Sequence, residues 1–507
     1  MRAIFFIFIL FNNVIVAQTK TNPLISLSDV YCILCANNNL KAKEQKKLAT
    51  NLVELATRGT ADNTVWNLVK DFSSTNNTAK RTSNCIDKRI FTELKTLEEL
   101  KIENPIVLNL KQKESIETFF ALKYQLSSRY AYIDEKTTLF HKQYNEHLTF
   151  IAENSKHELI YEIKKVLVGL EDPHLGVKIK GEDNSTPTLK DGKVYIFPFR
   201  FVQNKSKEIT IAAIPELSKS LVAWNNASIE RINDVKIEKI IDSIEVKFGP
   251  LGGGQYGTLV DYFRVYMFVE GTTSFELKNT LTEKDTLITV ERVPVSMENY
   301  YLFSSTKKAI PNVFSYKKVH FIKYYETKND GFADFLKNTN QKDTVIIDFR
   351  GYPKQDVMKA TQLLIYGEPK KVSYSTEINF DNFCFEKIST DDYFPKQDID
   401  ARKKIDEKKL KIIGIIDNQT ASYVETAVMT LKTYLGNNLK LVGQPTAGAH
   451  GTIDFIGLDK NITLQYPYHK FDFYLSQQLN EKKQIVPDDF KTNMEINAWL
   501  QTVFNRN

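Results

Sequence analysis

No stretch of the chain reaches the about 18 consecutive apolar residues that a membrane-spanning helix needs, and neither sign of charge dominates. The 68 basic and 62 acidic residues are spread over 507 positions with no Arg-rich arm or long basic block, which argues against nucleic acid as the main partner. Cysteine is scarce at four and histidine at seven. Cys32-Ile-Leu-Cys35 could be half a zinc site or a redox pair, but no second CxxC and no HxxxH follows, so no metal or cofactor is expected. In an oxidising compartment a disulfide among Cys32, Cys35 and Cys85 is the better reading, with the pairing open and Cys384 far along the chain. The Gly-rich stretch Gly249-Pro250-Leu251-Gly252-Gly253-Gly254 lacks a following GK[ST], which removes the main reason to read it as a phosphate loop.

What is present is a globular composition, 42% hydrophobic and 26% charged, in a chain long enough for about three domains of roughly 150 residues. Residues 1–17 carry one positive charge at Arg2, the apolar run IFFIFILF, and Ala17 before a polar stretch. That is the pattern of a cleaved signal peptide, and it predicts a secreted or periplasmic protein with no membrane span. No Cys lies beside the cleavage site, so a lipid anchor is not indicated.

From residue 18 to 180 the pattern is mostly helical. Lys41 to Arg58, stopped by Gly59, then Glu114 to Arg129 and Lys142 to Val168 each carry apolar residues at spacings of three and four. The segment ends in Glu171-Asp172-Pro173-His174. Pro173 stops the helix and Leu175 to Gly181 reads as a strand, so His174 lies on a turn that can present it to a cleft or simply to solvent.

Residues 181–305 change to short strands, at Val194–Phe197, Ile209–Ala212, Ser228–Val235, Ser274–Leu277 and Leu287–Arg292, with one helix at Ile237–Val246. A compact β-rich unit with one helix suits a module that binds an extended peptide as an added strand, or else a spacer. Residues 306–507 alternate strand and helix: Val319–Tyr324, Gly331–Lys337, Thr344–Phe349, Asp356–Leu364, then Ile412–Ile416 and a helix from about Ala421 to Gly436. Repeated βα units imply a buried, mainly parallel sheet with function at the carboxyl ends of its strands. Arg350-Gly351 and Ser422 both fall there.

Ser422 sits at or just inside the N-terminus of a helix that follows a core strand, where free N–H groups and the helix dipole favour negative charge. An alkoxide or oxyanion is stabilised in such a place, although Ser422 or Thr420 could equally be an ordinary helix cap.

Three pieces together carry more: Asp172-Pro173-His174, the strand ending Asp348-Phe349-Arg350-Gly351, and Thr420-Ala421-Ser422-Tyr423-Val424-Glu425 with Gly443-Gln444-Pro445-Thr446-Ala447-Gly448. From about residue 116 to 500 this set resembles the tail-specific, or C-terminal processing, serine peptidases, in the branch that includes the tricorn core protease. The resemblance implies a βα-repeat, crotonase- or ClpP-like peptidase core (306–507), a helical N-terminal region (18–180) and a PDZ-like module (181–305). It implies Ser422 as nucleophile. The branch that uses a lysine base is set aside because Ala449, followed by His450, stands in the lysine's place. His174 matches the histidine base of the tricorn-like branch, and Glu481 stands at that branch's spacing, six residues before Pro487-Asp488.

Two positions depart from the family's pattern. Pro173 replaces the serine that links the histidine to the glutamate, so Glu481 would have to reach His174 directly or through water. The D-x-R-x-N-x-G-G stretch becomes Asp348-Phe349-Arg350-Gly351-Tyr352-Pro353-Lys354-Gln355. The Tyr423 N–H can serve as one oxyanion donor, with Gly351 or Lys354 as the second. The expected activity is peptide-bond hydrolysis through an acyl-enzyme on a peptide or protein substrate. The alternatives are a peptidase-like binding protein on the same scaffold, or an assembly module whose Gly-rich loop meets a cell-envelope partner.

Overall fold

The computed structural model describes residues 22–38, 40–74, 106–180, 193–204, 208–248, 272–278, 285–296, 311–324, 329–351, 357–365, 370–379, 384–390, 410–480 and 483–504. The expected signal peptide, Cys85, the Gly-rich loop at 249–254, Lys354 and Glu481 lie outside them. Among the described residues no helix is long and apolar enough to cross a membrane, and no cluster of His, Cys, Asp and Glu has metal-site geometry. The chain divides into two compact units, one running to Gly169 with short pieces at 378–386 and 456–462, the other comprising the rest.

The first unit is helical over Pro23–Asn38, Ala42–Arg58, Asn63–Ser74, Leu110–Arg129, Ile133–Glu153 and Leu159–Gly169. Helix Pro23–Asn38 is buried without a break from Val30 to Cys35, and the core of the unit includes Leu27, Tyr31, Leu52, Phe119, Phe120, Phe140, Tyr144 and Leu148. Gly59 ends the second helix at φ 66°, the left-handed cap that glycine adopts without steric cost. The periodicity read as one helix from Lys142 to Val168 is two. Asn154 turns extended and closes the first on Phe150, and the His157 ring holds the break by donating Nδ1–H to the Asn154 carbonyl at 2.8 Å. Both halves face the same core, so spacing alone cannot register the interruption. Cys35 is a buried free thiol, pushed up to about 12 by burial, while Cys85, the third cysteine of the expected disulfide, lies outside the described residues.

In the second unit, strands Phe199–Gln203, Ile209–Ala213, Ser228–Ile232, Thr272–Lys278 and Asp285–Glu291 pair antiparallel in that order. Helix Ile237–Phe248 contributes Ile240 and Ile244 to a core with Phe197, Phe199, Phe201 and Phe275. The stretch read as one strand from Ser228 to Val235 turns at Asn233 and Asp234, with φ 48° and 62°, and Val235–Lys236 pairs back. Asn and Asp tolerate this conformation better than other side chains.

A six-stranded sheet forms the rest of this unit, in the order Val313–Tyr316, Val319–Lys323, Thr344–Asp348, Lys411–Ile416, Leu439–Gly443 and Asp489–Phe490. Only the first pairing is antiparallel; the others are parallel. Alternate residues feed opposite faces. Ile322, Val345, Ile347 and Ile412 pack with helices Asn329–Lys337 and Tyr423–Leu435, while Phe321, Ile346 and Ile415 meet Ile496 and Leu500 of helix Asn493–Phe504. Burial on both faces accounts for the continuous β-branched runs.

At the carboxyl end of this sheet Arg350, 1% exposed, folds back on its own strand. Its Nε and Nη2 donate to the two Asp348 oxygens at 2.8 Å each, and Nη1 and Nη2 reach Asn493 and Asn497 at 3.0 and 3.3 Å. Asn493 also donates to Asp417 Oδ2 at 2.9 Å, so a buried polar network ties two strand ends to the last helix. Arg350→Met is expected to strand the Asp348 carboxylate and cost about 3–5 kcal/mol in urea unfolding; a loss under about 1 kcal/mol contradicts the network's role.

Candidate active site

Strand Lys411–Ile416 and helix Tyr423–Leu435 are joined by a turn fixed from within. The Asp417 N–H donates to Thr420 Oγ1 at 3.1 Å, the Gln419 N–H to Asp417 Oδ1 at 2.8 Å, and Thr420 Oγ1 donates to the Phe349 carbonyl at 3.1 Å. Thr420 is thus spent on the turn and on the neighbouring strand end rather than on the helix. Ser422 follows at φ 55° and ψ −120°, a conformation that costs a side-chain-bearing residue about 1–3 kcal/mol and persists only where its surroundings impose it. Sharp strand-to-helix turns of this kind lift a serine hydroxyl off the end of a sheet.

The restraint comes from Glu425, fully buried three residues into the helix. Its Oε2 accepts the Ser422 N–H at 2.8 Å and the Ala449 N–H at 2.9 Å. Its Oε1 accepts Thr446 Oγ1 at 2.5 Å and the Gly448 N–H at 2.9 Å. The Ser-x-x-Glu spacing of a capping box was the available signal for this contact. The G-x-x-T-x-G loop has its own reason for its first glycine. Gly443 sits at φ 134°, and a Cβ there would lie 2.0 Å from the Ile416 carbonyl, against the strand that carries the serine turn.

His174 is brought to the same loop. Asp172 closes the Asp-Pro-His turn by accepting the His174 N–H at 2.8 Å. Gln465 Nε2 donates to the His174 carbonyl at 3.1 Å, and His174 Nδ1 lies 3.1 Å from the His450 carbonyl. A carbonyl can only accept, so Nδ1 carries the proton and Nε2 is left as the base-competent nitrogen. Burial, the largest influence, holds the imidazole below its usual 6.5, while the charges of Asp172 and Glu425 oppose it. Neutral imidazole is the form a general base needs. Among the described residues no hydrogen bond joins Ser422 to the His174 ring; they are linked through Glu425 and the loop ending at His450.

Tyr423, half-exposed, opens the helix. Gly351 follows the Asp348–Arg350 pair at φ 108°. Sequence reasoning missed the anchoring role of Glu425 and the carbonyl of His450, the latter because a main-chain group leaves no trace in residue identity. Strain at Ser422 makes a direct prediction. Ser422→Gly should be more stable than Ser422→Ala by roughly 1 kcal/mol, the relieved strain outweighing about 0.5–1 kcal/mol of added unfolded freedom. Chemical denaturation of the pair checks it, and a less stable glycine variant removes the strain argument.

No family model and no curated protein matches the sequence. Among solved structures, mature CPAF complexed with lactacystin is similar over 78% of this chain and 98% of its own, at 12% identity and a TM-score of 0.51. An alanine mutant of CPAF is similar over 78% and 97%, with the same identity and score. The photosystem II D1 C-terminal processing protease is similar over 76% and 94%, at 9% identity and 0.39. The chain has the fold of CPAF.

Proposed function

We propose that this protein is a serine endopeptidase of the tail-specific kind, acting through an acyl-enzyme on Ser422. The observation that carries the reading is the strained conformation of Ser422 at a strand-to-helix turn, held by a buried carboxylate. Strain of this sort at a polar residue is what nucleophilic catalysis uses, and the buried imidazole of His174, held by the same loop that Glu425 anchors, is the base assigned to it.

His174 Nε2 takes the hydroxyl proton as Ser422 Oγ attacks the peptide carbonyl, and later returns it to the leaving amine. The Tyr423 N–H at the helix N-terminus and the Gly351 N–H at the neighbouring strand end supply the oxyanion donors. Glu481, at the spacing of the tricorn-like branch's glutamate, is assigned to support the imidazolium. The antiparallel module within 181–305 is the PDZ-like element that docks an extended segment of the substrate, and the N-terminal pattern places the mature protein in a secreted or periplasmic setting.

A fluorophosphonate probe tests the assignment. Capture is expected at Ser422, absent in Ser422→Ala and slowed by at least about 10²-fold in His174→Ala. Capture that persists in Ser422→Ala, or none in the parent, overturns it in favour of a binding protein. The pH dependence has a fixed sign. Since burial holds the folded imidazole below its usual 6.5, kcat/KM should fall on the acid side with a midpoint below that value. A profile already falling above pH 7 points to another base.

A further inference from the structure

We infer that the main-chain carbonyl of His450 is the group that orients the general base, and that His450 is a positioning residue whose ring is locked to the Lys483 carbonyl. This rests on the proposed role of His174 and names how that residue is held. In the serine-histidine-acid arrangement a carboxylate receives the imidazole Nδ1–H. Here Nδ1 lies 3.1 Å from the His450 carbonyl, and a neutral imidazole has a single N–H to give. The proton that an acid would receive is already committed to the backbone. Pro173 offers no hydroxyl to carry a second link.

That carbonyl is fixed from three sides. The Ala449 N–H just before it is bound to Glu425 Oε2 at 2.9 Å. The His450 ring donates Nε2–H to the Lys483 carbonyl at 2.7 Å and stands edge-on to Phe473, centroids 5.0 Å apart at 79°. Gly451, which shares the peptide plane of that carbonyl, sits at φ 111°, where a Cβ would lie 2.2 Å from the His469 carbonyl. Only glycine allows the plane to be aimed this way. The Lys483 N–H is itself bound to the Asn480 carbonyl at 2.9 Å. The connection from Lys483 to the base therefore runs through His450, ring to Lys483 and carbonyl to His174, in place of a side chain at position 173.

A spectroscopic readout separates this inference from peptidase activity. In Ser422→Ala, histidine 15N NMR with His174 assigned by its own substitution should show the Nδ1–H tautomer. Glu481→Gln should leave that tautomer unchanged. His450→Phe keeps a ring against Phe473 but loses the donor to Lys483. It should erode the tautomer and, with Ser422 present, lower kcat on the order of 10–100-fold at nearly constant KM. His450→Gln, which retains a donor, should recover most of that loss. An Nε2–H tautomer at His174, or a tautomer that follows Glu481→Gln and ignores His450→Phe, overturns the inference even if Ser422 and His174 prove essential. Loss of both dependences on Ser422 and His174 in hydrolysis overturns the proposed function instead.

Discussion

The arrangement at the sheet's end depends on one buried carboxylate. Glu425 accepts four hydrogen bonds, from the Ser422, Gly448 and Ala449 N–H groups and from Thr446 Oγ1. A buried carboxylate is costly unless its lone pairs are filled, and bonds to a charged acceptor are worth about 1.5–3 kcal/mol each. Filling all four directions makes the cluster all-or-none: removing the carboxylate orphans donors on two separate stretches of chain. It also explains how Ser422 is kept at a positive φ that its side chain resists. The helix start, the serine turn and the 443–450 loop are a single unit because they share these oxygens.

Around that unit the fold supplies position rather than chemistry. Parallel strands buried on both faces set Asp348, Asp417 and Gly443 at neighbouring strand ends, and the Asp348–Arg350–Asn493–Asp417 network keeps those ends in register. His174 comes from a turn 248 positions before Ser422 in sequence and reaches the loop through a main-chain acceptor. A base held by a carbonyl gains orientation and a fixed tautomer. It gains less charge stabilisation of the imidazolium than a carboxylate would give, so the nearby charges of Asp172 and Glu425 matter more.

Much of this was legible in the sequence wherever side-chain type and spacing decide structure. The β-branched run 412–416 had to be a core strand, Gly59 and Gly436 had to end helices, and the helical spacing of Val424, Ala427, Val428, Leu431 and Leu435 after that strand put Ser422 at a helix start. The break at Asn154 was hidden because both helices bury the same face. The hairpin at Asn233-Asp234 was absorbed into one strand, although two residues tolerant of positive φ stood there. What residue identity could not express is the backbone itself: the φ of Ser422, the carbonyl of His450 and the peptide plane before Gly451. The roles given to Glu481 and Lys354 concern positions outside the described residues, and they rest on motif resemblance alone.

Catalysis here requires Ser422 and His174 to meet on one reacting group. A crystal structure of the full chain reacted with a peptide boronic acid tests whether they do. A tetrahedral boron bonded to Ser422 Oγ is expected, with His174 Nε2 within about 3.2 Å of a boronate oxygen or of Oγ and a second oxygen facing the Tyr423 N–H. Boron attached to another residue, or bonded to Ser422 with the His174 ring turned to a separate surface, would contradict it.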